Sequence, residues 1–291
     1  MELKGNDEIR RVLMVGDTHG NDDHWEKVVV PSARSRRTDI ILQLGDFGYW
    51  PRISDGERFL AWVDRSLQEL SRDLGREMVC VFVDGNHEDH LELNKLAPRS
   101  DGFVPVTDRI LWAPRGLRWE WAGVRFLALG GAFSIDRKYR AMNSGHYGWF
   151  GEEMITTEQA SIAMDGGECD VLVSHDAPLW CRQFLIPVGV PAVGLFPDSD
   201  ANSKLLQDVV RVVKPKQLWH GHYHSFVDVE LDISRPFSSD PKEPIRIVGL
   251  ACDELDKSCS LLTLPELTIT HFSSLAIDGT PLIDSESVNL T

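Results

Sequence analysis

The chain of 291 residues carries a formal charge of −15, with 42% hydrophobic and 26% charged residues. That is the balance of a globular protein, long enough for one large domain or two modest ones with an ample core. So acidic a chain argues against an extended nucleic-acid surface, which needs a broad basic face, but it leaves room for a small phosphate-bearing substrate if a bound metal reverses the local field. The five cysteines, Cys80, Cys169, Cys181, Cys252 and Cys259, are odd in number and form no CxxC pair. Cys80, Cys169 and Cys252 sit in or beside apolar runs, which predicts buried reduced thiols. The charged start, Met1 to Arg10, lacks an apolar signal core, and no run reaches the ~18 apolar residues that span a bilayer. The expectation is a soluble, cytoplasmic protein with no membrane partner.

Val12-Leu13-Met14-Val15 reads as a short strand ending in Gly16-Asp17-Thr18-His19-Gly20. A short helix is expected over Asp23 to Arg34, ended or kinked by Pro31. Ile40 to Leu44 is a second strand, running into Gly45-Asp46-Phe47-Gly48. Between Glu57 and Arg76, Phe59, Trp62, Val63, Leu67, Leu70 and Leu74 recur at three- and four-residue spacing, which predicts an amphipathic helix closed at Gly75. The run Met78 to Val83 suits a strand buried on both faces and ends in Asp84-Gly85-Asn86-His87-Glu88, where Gly85 permits a sharp turn. The amide oxygen of Asn86 could bind a hard metal and His87 could move a proton, although a plain polar loop would look the same. This β-α-β-α-β order implies parallel strands in an α/β layer.

Farther on, Ile110 to Trp112, Leu117 to Trp121 and Val124 to Leu129 are short runs separated by turn residues, expected to be neighbouring antiparallel strands. Gly130 to Gly151, rich in Gly, aromatic and basic residues, is expected to be an ordered surface loop. Thr156 and Gln159 suit a capping box opening a helix that fades at Gly166-Gly167. Val171-Leu172-Val173 ends in Ser174-His175-Asp176. Pro187 to Pro197 reads as a loop, and Asn202 as the cap of a helix from Lys204 to Val213. Leu218-Trp219 leads into His220-Gly221-His222-Tyr223-His224. Ile245 to Leu250 and Ser260 to His271 read as further strands, with a frayed tail beyond Asp278, so that residues 1–278 form a single domain.

Five apolar strands thus end in candidate ligands: Asp17 with His19, Asp46, Asn86 with His87, His175, and His222 with His224. In open α/β sheets, sites form outside the carboxyl ends of the strands. A lone His is more often structural, but packing alone does not account for such residues recurring at strand ends beside glycines. Imidazole and carboxylate without thiolate favour Mn, Fe, Zn or Ni. The series Gly16-Asp17-Thr18-His19-Gly20, Gly45-Asp46, Gly85-Asn86-His87-Glu88, Ser174-His175 and Gly221-His222-Tyr223-His224 resembles the calcineurin-like metallophosphoesterase superfamily, with all five blocks in order. The resemblance implies a four-layer α/β/β/α sandwich with two mixed central β-sheets and two divalent metal ions, manganese first among the choices. It implies one ion on Asp17, His19 and His224, the other on Asn86, His175 and His222, with Asp46 bridging and His87 facing the substrate.

The second block departs from many relatives: Gly45-Asp46-Phe47-Gly48-Tyr49-Trp50 has no Arg where the protein serine/threonine phosphatase branch grips phosphate, and Arg52 is displaced. The implied chemistry is attack on phosphorus by a metal-bridging hydroxide, with His87 protonating the leaving oxygen. Asp84 or Glu88 could orient His87, though a bond bracing the loop explains either equally well. Arg137, Lys138 and Arg140 are candidates to bind substrate phosphate, against the plainer reading of a solvated loop. Trp149 and Phe150 suit anchoring of that loop, and His24, His90, His146 and His271 a structural role. A phosphodiesterase or nucleotidase acting on small substrates is the first expectation. A phosphomonoesterase or phosphoprotein phosphatase is the alternative, and an inactive metal-binding scaffold the rival of another class.

Overall fold

The computed structural model describes residues 3, 5–142, 148–185, 194–232 and 244–274. Two mixed sheets carry the fold. The first has the order β13-β12-β1-β2-β3-β5-β4, where β1 is Arg11–Val15, β2 Ile40–Gln43, β3 Cys80–Phe82, β4 Val104–Pro105, β5 Ile110–Trp112, β12 Cys259–Thr263 and β13 Thr268–His271. The second has the order β10-β11-β9-β8-β7-β6, where β6 is Arg118–Trp121, β7 Val124–Leu129, β8 Val171–Ser174, β9 Gln217–His220, β10 Val227–Asp232 and β11 Pro244–Gly249. Within each sheet the central strands run parallel, and antiparallel strands close the edges.

Alternating side chains explain the layering. Val12, Met14, Ile40, Leu42, Val81, Phe126, Val171, Val173 and Trp219 pack between the sheets. Leu13, Val15, Ile41, Cys80 and Phe82 point the other way, onto the helices α1 (Asp22–His24), α2 (Val30–Ser35), α3 (Ser54–Leu74) and α4 (His90–Leu93). Leu127, Leu172, Leu218 and Ile247 face α6 (Thr157–Asp165), α7 (Arg182–Leu185) and α8 (Pro197–Val213). Three apolar interfaces therefore separate four layers, helix, sheet, sheet and helix, as the motif series implied.

The helices depart from expectation in instructive ways. Pro31 does not end its helix: a π-helical segment, Trp25–Val29, precedes it, and the wider turn accommodates a residue with no N–H to give. Helix α3 starts at Ser54 and stops at Gly75, whose φ of 67° is left-handed. The capping box at Thr156 and Gln159 has both of its hydrogen bonds. Asn202 caps nothing. It lies inside α8, where Oδ1 accepts from Ile155 N at 2.8 Å and Nδ2 donates to Asp176 at 2.7 Å.

Ile110–Trp112 is no antiparallel neighbour of the next two strands but pairs parallel to β3 in the other sheet. Gly130 to Gly151 is not all loop, since α5 covers Arg137–Met142. Strand β10, outside the runs read as strands from the sequence, pairs antiparallel with β11, and Ser260 to His271 is two strands joined as a hairpin. All five cysteines are buried and free. His146, most of the Pro187 to Pro197 stretch and the tail beyond Asp278 lie outside the described residues.

Candidate metal centre

The carboxyl ends of β1, β2, β3, β8 and β9 open on one edge of the sandwich, and the residues just past them converge there. Donor atoms of Asp17, His19 and His224 lie within 4.8 Å of one another, as do those of Asp17, Asp46 and His175. Asp46 Oδ2 stands 3.6 Å from His19 Nε2 and 3.3 Å from His175 Nε2, between the two halves. Asp17 Oδ2 is 3.3 Å from His224 Nε2, and Asn86 Oδ1 is 3.2 Å from His175 Nε2. Ligands about 2.1 Å from a shared ion at tetrahedral or octahedral angles stand roughly 3–3.4 Å apart, so the 3.2 and 3.3 Å separations match a coordination shell and the 3.6 Å one lies just outside it. His222 belongs to neither three-residue group. Its main-chain N–H donates to both oxygens of Asp17 at 3.0 Å, and its ring centroid is 5.1 Å from that of His175.

The backbone is bent to reach this arrangement. His19, Asp46, His222 and His224 take φ of 47°, 52°, 66° and 51°, in the left-handed region that side-chain-bearing residues rarely enter. The glycines between them give room for the ligands themselves. A Cβ on Gly221 would lie 2.0 Å from Asp17 Oδ1, one on Gly45 2.3 Å from His175 Nδ1, and one on Gly85 2.1 Å from Asp46 Oδ1. Groups behind the donors then aim them. Asp253 Oδ1 meets His19 Nδ1 at 3.0 Å while its Oδ2 accepts from Asn21 at 2.7 Å. Leu44 O meets His175 Nδ1 at 2.8 Å. Glu88 accepts from Phe47 N at 2.6 Å and Gly85 N at 2.5 Å, tying the Asp46 loop to the Asn86 loop.

The electrostatics are those of a site built for cations. Burial opposes charge on every member, yet the histidines around hold Asp17 below and Asp46 well below the usual carboxylate range. Against burial, Asp253, Asp46 and Asp17 raise His19 to about 11, and Asp46 and Asp17 raise His175 to about 10. His224 is raised to about 10, first by its hydrogen bond to Asp17. Protons on these imidazoles occupy the electrostatic place that divalent ions take, and must leave as ions bind. His222, pushed down to about 4 by burial and by His175, keeps a neutral ring.

His87 is half-buried. Its main-chain N–H donates to Asp46 Oδ1 at 2.7 Å, and its ring centroid lies 6.1 Å from that of His19. Burial, and then the charge of Arg140, lower its pKa while Asp46 works the other way.

Asp84 does not orient His87: its carboxylate accepts from Trp112 Nε1 at 3.0 Å and Arg115 Nε at 2.8 Å, behind the strand end. Arg140 is no solvent-facing phosphate ligand. It is buried, and its guanidinium donates to Ser134 Oγ, Asn86 O and Gly148 O and pairs with Glu153 at 2.9 Å. Arg137 is half-exposed, paired with Asp198 at 2.6 Å and set over the Phe133 ring. Arg52 is tied to Asp89 by two hydrogen bonds of 2.5 and 2.9 Å. Asp253, Ser134 and Glu153 were not singled out from the sequence. For Asp253 the same signal was present, a carboxylate just past the apolar strand Ile245 to Leu250.

Fold and converging donor atoms fit the metal-dependent phosphoesterases. The calcineurin-like phosphoesterase family matches residues 10–226, and the chain belongs to that family. The family uses divalent metals in a binuclear centre and hydrolyses phosphate esters. No curated protein matches the sequence. Among solved structures, a hypothetical protein from Thermus thermophilus is similar at 13% identity and a TM-score of 0.39, over 83% of this chain and 76% of that one. Among the described residues no helix is long and apolar enough to cross a membrane.

Proposed function

We propose that this chain is a binuclear metal-dependent phosphodiesterase acting on small diesters, nucleotide-like ones included. One observation carries the preference for diesters: the arginines flanking the centre are committed elsewhere. Arg52 serves Asp89, Arg115 serves Asp84, Arg137 serves Asp198, and Arg140 serves Glu153, Ser134 and main-chain carbonyls. A monoester dianion rewards an additional bidentate guanidinium, whereas a diester carries one charge and asks for less. These are arginines of the described residues; of the stretches outside them, 143–147 and 186–193 hold no Arg or Lys, while 233–243 holds Arg235 and Lys242.

Asp17, His19 and His224 would hold one ion, and Asn86, His175 and His222 the other, with Asp46 between them. Manganese is the first choice for this oxygen- and imidazole-rich set. When bound, the ions supply positive charge and a water of lowered pKa. The substrate phosphate would lie beside His87, whose ring is free of hydrogen bonds among the described residues and stands 6.1 Å, centroid to centroid, from that of His19. The His87 ring proton passes to the departing ester oxygen as its bond to phosphorus breaks, and the anionic phosphate beside the ring favours the protonated form that this step needs. The site draws on residues from Asp17 to Asp253, which supports reading residues 1–278 as one domain. The free thiols support a cytoplasmic location.

The test is kcat/KM of the manganese-loaded protein on bis(p-nitrophenyl) phosphate and on p-nitrophenyl phosphate, which share a leaving group. The diester should be favoured by ~10-fold or more, the scale of one missing charged contact. A monoester preference would replace this reading with the phosphatase one.

A further inference from the structure

Asn86 is useful to a cation only if its amide oxygen faces the centre. The oxygen and nitrogen of a carboxamide are nearly the same size, so shape alone does not select between the two orientations. Ser134 makes the selection. Its hydroxyl donates its single hydrogen to Glu153 Oε2 and accepts from Arg140 Nη1 at 2.8 Å. The remaining lone pair can only accept, and it takes Asn86 Nδ2 at 3.0 Å. With Nδ2 held there, Oδ1 is turned to His175 Nε2, 3.2 Å away. Arg140 closes the set by pairing with Glu153 and donating through both Nη atoms to Asn86 O at 3.3 Å, so side chain and main chain of Asn86 are held by the same group. Asn86, Ser134, Glu153 and Arg140 are all buried, so water does not compete for these bonds.

We infer that Ser134, polarised by Glu153 and Arg140, is a positioning residue that fixes the orientation of the Asn86 amide and thereby the affinity of one metal position. The inference rests on the reading of Asn86 as a metal ligand. It gives the buried Arg140 a task and explains why the Gly130 to Asp136 segment folds back over the β3 end.

The test is a cycle of four proteins, wild type, Ser134→Ala, Asn86→Asp and the double variant, prepared metal-free and titrated with Mn(II) while binding is followed calorimetrically. Aspartate has two oxygens and no wrong orientation, so Ser134 should matter little once it is present. Ser134→Ala should weaken one of the two manganese sites by ~10–100-fold in the natural background. In the Asn86→Asp background the same change should cost less than about threefold, the rest being coupling between the two positions. Equal losses in both backgrounds, or no loss in either, would overturn the positioning role. Asn86→Ala runs alongside: retention of both ions at wild-type affinity would sink the ligand reading itself, whereas loss of one ion keeps that reading, and the cycle then decides the role of Ser134.

Discussion

Gly85→Ala should empty the metal centre although it changes no ligand. The added Cβ would lie 2.1 Å from Asp46 Oδ1 and 2.3 Å from Asp46 N. The second of these is main chain and cannot swing aside, and Gly85 is itself held by Glu88 at 2.5 Å. Relief therefore needs a shift of about 1 Å in the Asp46 loop, five times the ~0.2 Å tolerance of a metal–ligand distance. It also breaks the 2.7 Å bond from His87 N to Asp46 Oδ1. A hydrogen bond to a charged group contributes about 1.5–3 kcal/mol, and overpacking a tight site costs about 1–3 kcal/mol, so the metal-free protein should lose roughly 3–5 kcal/mol. Gly75→Ala is the control: nothing lies within 4 Å of its Cβ and φ is 67°, so only backbone strain of ~1 kcal/mol is added. Urea unfolding of the metal-free proteins and metal content after loading give both numbers. Two bound ions with full activity in Gly85→Ala, or equal destabilisation by the two substitutions, would refute the argument.

Asp253→Ala removes the partner of His19 Nδ1 and should weaken one metal site by ~10–100-fold in a manganese titration, where an unchanged affinity would reduce Asp253 to a loop tie. His87→Asn should keep both metals and lose ~10²–10⁴-fold on alkyl diesters but far less on nitrophenyl ones, whose leaving group departs without a proton. Equal losses with metals intact would rule out the acid role.

Far from the centre, Asp170 offers a test against pH. Burial alone would raise its pKa, but hydrogen bonds from the side chain and main chain of Arg125 and from Lys216 outweigh it and bring the carboxyl to about 2. A folded-state value below the unfolded one contributes stability above about pH 4 that disappears as pH falls through about 2. Discounted for the half-exposed Arg125, Asp170→Asn should destabilise the metal-free protein by about 1–2 kcal/mol at pH 7. Acid titrations of the two proteins should converge toward pH 2, and a gap that persists there would contradict the ion-pair origin.

What could be read from the chain alone was whatever depends on near neighbours. An apolar run such as Met78 to Val83, the spacing of Phe59, Val63, Leu67 and Leu70, and the pairing of Thr156 with Gln159 declare a strand, a helix and a cap because each uses bonds and faces within a few residues. The ligand blocks were legible for a related reason. A strand end must be followed at once by the residue it presents, and a ligand that crosses a neighbouring chain needs glycine there, as Asp46 does over Gly85. Partnerships between distant segments were not legible. Asp253 reaches His19 across 234 positions, Ser134 reaches Asn86 across 48, and Asp84 turns to Arg115 rather than to His87 three residues on. Charge and residue type announce that an arginine or aspartate will be paired, but only packing decides with what. Arg140 and Arg137 looked alike in sequence, three residues apart on one short helix. Tertiary structure separated them: Arg140 faces the buried Glu153 beneath Asn86 while Arg137 meets Asp198 in solvent, because the desolvated guanidinium requires a carboxylate and carbonyls around it and the exposed one does not.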